Sequence, residues 1–136
     1  MGTRADFYVG RGPDAEWLGS IAFDGYPEGG SVSRRLVLST TEEDYRRRVS
    51  WLLSSKDHAT TPDMGWPWPW DDSRVTDYAY AFDGGRVWAH GSEWFDARKA
   101  EPDNDNPVAG VFPDMSARAA VTLGPRSGIL IVGVPR

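Results

Sequence analysis

The chain has 136 residues, 40% of them hydrophobic and 26% charged, with a formal net charge of −5. That length and balance suit one domain with its own core and exclude wholesale disorder. The lack of cysteine excludes a disulfide scaffold, a zinc–thiolate site, an iron–sulfur cluster and a thiol nucleophile, and the acidic balance disfavours a general nucleic-acid binder.

No apolar stretch follows Met1-Gly2-Thr3-Arg4-Ala5-Asp6, so no signal peptide is expected, and no apolar run is long enough to span a bilayer. Residues 6–9 read as a strand that stops at Gly10-Arg11-Gly12-Pro13, and residues 17–23 as a second strand closed by Asp24-Gly25. Tyr26-Pro27-Glu28-Gly29-Gly30 is a loop, and residues 34–38 suggest a third, short strand. The helix signal runs from 41 to 56. Thr40 stands three residues before Glu43, the capping-box spacing, and Tyr45, Val49, Leu52 and Leu53 form one apolar stripe. Glu42–Arg46, Glu43–Arg47 and Asp44–Arg48 are acid-before-base pairs one turn apart, so the three arginines read as a solvated face, not a phosphate site.

Residues 60–72 are dominated by Pro and Trp, which alternate from Trp66 to Trp70, and can continue neither a helix nor a central strand, which leaves an extended connector. Residues 76–90 read as a β-hairpin turning at Gly84-Gly85, with Asp83 opposite Arg86, Phe82 opposite Val87, Ala81 opposite Trp88 and Tyr80 opposite Ala89. That register sends Trp88 and His90 to the face of Ala79 and Ala81, and Tyr78, Tyr80 and Phe82 to the other. Residues 101–107 read as an acidic loop, 117–123 as helix or strand, and 128–133 as a short buried strand.

The motifs that suggest chemistry weaken in context. Gly10-Arg11-Gly12-Pro13-Asp14-Ala15 has dinucleotide-loop spacing but leads at once into another strand, so a glycine turn between antiparallel strands is the better reading. Asp103-Asn104-Asp105-Asn106 resembles a calcium loop, yet Pro107 and Val108 occupy positions that such a loop needs for a ligand and a glycine. His58 and His90 are the only histidines, and nothing in the spacing brings them together. No metal and no cofactor is expected.

The aromatic load sets the chain apart: seven Trp, five Tyr and five Phe. Trp17, Trp51 and Trp88 read as core filler. Trp66, Trp68 and Trp70 in extended backbone fall on one side and would make an aromatic ridge with Asp71 and Asp72 as its acidic rim, a partner-binding element. The competing expectation folds this loop back over the core.

The opening Thr3-Arg4-Ala5-Asp6-Phe7-Tyr8-Val9-Gly10-Arg11-Gly12, with Ala15-Glu16-Trp17-Leu18-Gly19-Ser20-Ile21-Ala22 and Asp24-Gly25-Tyr26-Pro27, resembles the start of small uncharacterised proteins carried on proteobacterial plasmids, integrative elements and prophages. The resemblance implies a bacterial accessory protein and transfers no catalytic residue.

These readings converge on one α+β domain over residues 1–136: an antiparallel sheet of short strands with one main α-helix packed on a face. The expected function is non-catalytic, a cytoplasmic, acidic, aromatic-rich protein that binds another protein of host or mobile-element origin. A dimer or a hetero-complex is also expected, because one helix cannot cover both faces of an aromatic sheet. The alternative is a small enzyme or ligand binder with a pocket of Trp66, Trp68, Tyr78, Tyr80 and Trp88, and His90 or Asp77 as its polar group.

Overall fold

A computed structural model describes residues 2–27, 32, 34–99, 101–102 and 111–115. The expectations for residues 28–30, 103–107, 117–123 and 128–133 lie outside the described residues. The fold is α+β, as the sequence predicts. Its strands are β1 (Ala5–Val9), β2 (Glu16–Ile21), β3 (Ala59–Thr60), β4 (Tyr78–Asp83), β5 (Arg86–His90), β6 (Trp94–Asp96) and β7 (Glu101–Pro102), and its helices α1 (Arg34–Val37) and α2 (Glu42–Ser54). The strands form one sheet in the order β3-β2-β1-β4-β5-β6-β7. Every pair is antiparallel except the central β1·β4, which is parallel.

The hairpin register is the predicted one: Asp83 pairs with Arg86, Phe82 with Val87, Ala81 with Trp88 and Tyr80 with Ala89. Gly84 and Gly85 have φ of +63° and +83°, the two positive values that a type I′ turn demands. The Gly10–Ala15 segment is likewise a turn between antiparallel β1 and β2. Within β2 the register slips opposite Phe7 and Tyr8, a bulge around Leu18 and Gly19. Gly19 has φ +147°, and a Cβ there would stand 2.6 Å from Leu53 Cδ1 and 2.7 Å from the Thr60 carbonyl. Only glycine lets α2 and β3 close on the bulge.

The main helix buries Tyr45, Val49, Leu52 and Leu53, the predicted stripe. Its cap lies one residue later than the sequence suggests. Thr41, not Thr40, is the N-cap, and its Oγ1 accepts from the Asp44 amide at 3.2 Å. Arg46 pairs with Glu42 as expected and also reaches Glu16 on β2 with both terminal nitrogens, at 2.7 and 3.0 Å. The expected Glu43–Arg47 pair gives way to Arg47–Asp44, a carboxylate that Arg48 shares.

Residues 34–37 are a turn of helix, not a strand. Leu36 and Val37 are both buried in the same cluster, which successive residues of a strand, facing opposite sides, cannot achieve. Residues 101–102 correct the acidic loop in turn: they pair with Phe95 and Asp96 as an edge strand.

The two faces of the sheet carry separate cores. Ala5, Phe7, Ile21, Tyr80, Phe82, Val87 and Ala89 meet the helices. Tyr8, Trp17, Ala79, Ala81 and Trp94 meet Trp66, Phe112 and Met115, with Trp68, Trp70 and Trp88 packed at the margin. The topology explains the second cover. The chain leaves β3 at one side of β2 and must re-enter at β4, beyond β1. Residues 61–77 make that crossing with no more than a 3-10 turn at Pro62–Met64, laying their indoles on the strands beneath. The second face, expected to need a dimer partner, is thus covered from within the chain.

Candidate functional site

The Pro–Trp segment turns its aromatic ridge inward. Trp66 is only 6% exposed, packs edge-on against Trp17 with ring centroids 5.3 Å apart, and donates its indole N–H to the Trp70 carbonyl at 2.7 Å. Trp68 and Trp70 are half-buried and stacked at 5.6 Å. Asp71 keeps its side chain exposed and binds the Met115 amide through its carbonyl, while Asp72 holds the Arg74 backbone amide and guanidinium.

Beneath the indoles lies a residue that no sequence motif marks. Asp6, the second residue of β1, is fully buried. Its Oδ1 accepts from Ser20 Oγ at 2.6 Å and Trp68 Nε1 at 2.7 Å, and its Oδ2 from Ser73 Oγ at 2.6 Å. The Thr76 hydroxyl is a further donor. The hydroxyls have aromatic partners of their own: Trp17 Nε1 donates to Ser20, Trp70 Nε1 to Thr76, and the Tyr8 hydroxyl meets Ser73 at 2.7 Å. One carboxylate therefore fixes four indole or phenol rings through hydrogen bonds that polarise one another. Burial pushes the Asp6 carboxyl above its ordinary value, and the donors from Ser20, Ser73, Trp68 and Thr76 pull it back. This is the anchor of the crossover, enclosed on every side.

Two arginines pin the ends of the same face. The Arg4 guanidinium lies over Trp68 and Trp70, 5.9 and 5.6 Å from their centroids, and pairs with Asp77. Arg11, its side chain 5% exposed, lies 4.0 Å over Trp88 and bonds Asp83 at 3.0 Å.

The alternative pocket does not assemble. Tyr78 and Tyr80 belong to the helix face, Trp88 and His90 to the other, and Asp77 is an exposed partner of Arg4. Tyr80 donates to the Gly25 carbonyl at 2.7 Å and stacks on Phe7. His90 sits edge-on to Trp94 and Phe112, with its Nδ1 unpartnered among the described residues. Burial pushes its pKa down. His58 is elsewhere, accepting from the Ala22 amide and packing edge-on to Phe23.

The open feature is on the helical layer. Between α1 and α2 lies a groove of about 490 Å³ lined by Arg35, Leu36, Arg47, Arg48, Trp51 and Leu52. Leu36 and Leu52 are buried and form its apolar base. Trp51, expected in the core, is 68% exposed and stands at the side of the groove. The helical period had already placed it there, since at 100° per residue position 51 lies well off the stripe of Tyr45, Val49, Leu52 and Leu53. Among the described residues the lining holds three guanidiniums and no carboxylate.

Among the described residues no group of three His, Asp or Glu could hold a metal ion, and no helix is long and apolar enough to cross a membrane. Comparison with protein-family models, curated proteins and solved structures gives no match.

Proposed function

We propose that this is a non-catalytic protein-binding module whose contact surface is the α1–α2 groove. The observation that carries the reading is Trp51, two-thirds exposed on a helix that buries its other large apolar side chains. An indole held on a rigid helix presents a large contact area at little entropic cost, and Trp and Arg together are the residue types that dominate binding hot spots. The buried carboxylate and the Pro–Trp segment are engaged in the fold, which moves the proposed contact from Trp66, Trp68 and Trp70 to Trp51. The N-terminal resemblance supports a bacterial accessory role, with a host- or mobile-element-encoded protein as partner.

The test places a photoreactive phenylalanine analogue at position 51 or, as control, at exposed Val75 on the loop before β4, in cells of the native host. The reading expects one protein crosslinked from 51 and not from 75. Equal labelling from both positions, or none from 51, sinks it.

A further inference from the structure

Resting on that reading, we infer that the α1–α2 groove receives an acidic peptide segment carrying an apolar anchor. The argument is charge complementarity over an apolar base. Leu36 and Leu52 supply a dry base that one aliphatic or aromatic side chain can cover, and Trp51 supplies a wall for it to pack on. Around this base stand Arg35, Arg47 and Arg48. Arg47 and Arg48 both lean on the single carboxylate of Asp44, so two guanidinium forks share one acceptor and retain donors for another carboxylate. Arg46, the helix's remaining arginine, is held by Glu16 and Glu42 and lies outside the lining.

A polyanion is a poor fit. The chain carries −5 overall, so a nucleic acid would be repelled by most of the surface it had to cross. A short segment with a few carboxylates beside its anchor feels the local arginines at close range and the distant acids only through a screening atmosphere.

The test titrates four synthetic probes against the full chain and reads the emission of Trp51 as the difference from a Trp51→Phe variant. The probes are a peptide of about twelve residues with a central Phe flanked by Asp and Glu, the same peptide with Lys for its acids, the same with Ala for its Phe, and an oligothymidylate of similar length. The inference expects saturable quenching by the acidic Phe peptide. It expects at least about tenfold weaker binding by the Lys and Ala versions, and the same loss in Arg47→Glu/Arg48→Glu. The Lys peptide should gain on a variant in which Arg35, Arg47 and Arg48 are all Glu. Melting curves of each variant exclude unfolding as the cause, and Arg47→Gln/Arg48→Gln replaces a variant that does not fold. Equal or tighter binding of the Lys peptide or the oligothymidylate overturns the inference, as does indifference to the Phe or the absence of saturation. A partner crosslinked from position 51 through a basic segment would overturn it too, yet leave the protein-binding reading standing.

Discussion

Trp68 donates its indole N–H to Asp6 Oδ1 at 2.7 Å, joining residues 62 apart and fixing the crossover to the centre of the sheet. The bond lies in a buried cluster where the carboxylate is the common acceptor, so the aromatic cover and the strand beneath it are stabilised together.

Asp6→Ala should therefore cost about 3–5 kcal/mol, since it leaves the Ser20, Ser73, Thr76 and Trp68 donors buried without their acceptor. Trp68→Phe, which removes one donor and keeps most of the ring, should cost about 1–2 kcal/mol. Urea unfolding of the two variants checks the ranking. A loss below about 1 kcal/mol for Asp6→Ala would show that the cluster does not hold the crossover.

Gly19→Ala is expected to destabilise by about 1–3 kcal/mol or more, because the new methyl meets Leu53 and the Thr60 carbonyl at a backbone angle that alanine resists. Shortening Leu53 relieves only the side-chain half of the clash. The double variant Gly19→Ala/Leu53→Ala should thus remain less stable than Leu53→Ala alone in a thermal melt.

His90 gives a pH dependence of definite sign. Burial depresses its pKa below the ordinary 6.5, so the fold prefers the neutral ring. Its contribution is fully present above 6.5 and is lost as the pH falls through the lower folded value. The melting temperature of the wild type should drop on acidification below 6.5 more than that of His90→Phe. Parallel curves would assign the acid sensitivity elsewhere.

Trp51 and Leu52 are neighbours with opposite expectations. Leu52→Ala removes a buried side chain and should cost about 2–5 kcal/mol. Trp51→Ala should leave stability within about 0.5 kcal/mol, as for an exposed position with no structural role. Chemical denaturation of both variants separates the groove's wall from its base, and a large loss at Trp51 would return that indole to the core.

The sequence made the hairpin register and the helix stripe legible, because each is set by local spacing: small Ala81 against large Trp88, a glycine pair that admits positive φ, and apolar residues recurring every turn. What it hid is non-local. Nothing in residues 62–72 tells that β4 will lie beyond β1, and without that crossing the three indoles look like an outward ridge. Asp6 lies in a strand-like run where a single acid signals an exposed position, and only the arrival of Ser73, Thr76 and Trp68 makes it internal. The exposure of Trp51 is readable from its angle on the helix, although tryptophan is usually filler.

The parallel pairing of β1 with β4 also orders events during synthesis. When the ribosome has released the chain only through residue 60, the β1–β2 hairpin has every segment it needs to close, but its indole-facing side has no cover. A bare side of Tyr8 and Trp17 would be adhesive to other nascent chains. At that moment Asp6 is a hydrated charge in the middle of the patch, and it discourages edge and face association until residues 62–77 emerge. The acid that anchors the finished molecule would then oppose association before its cover arrives.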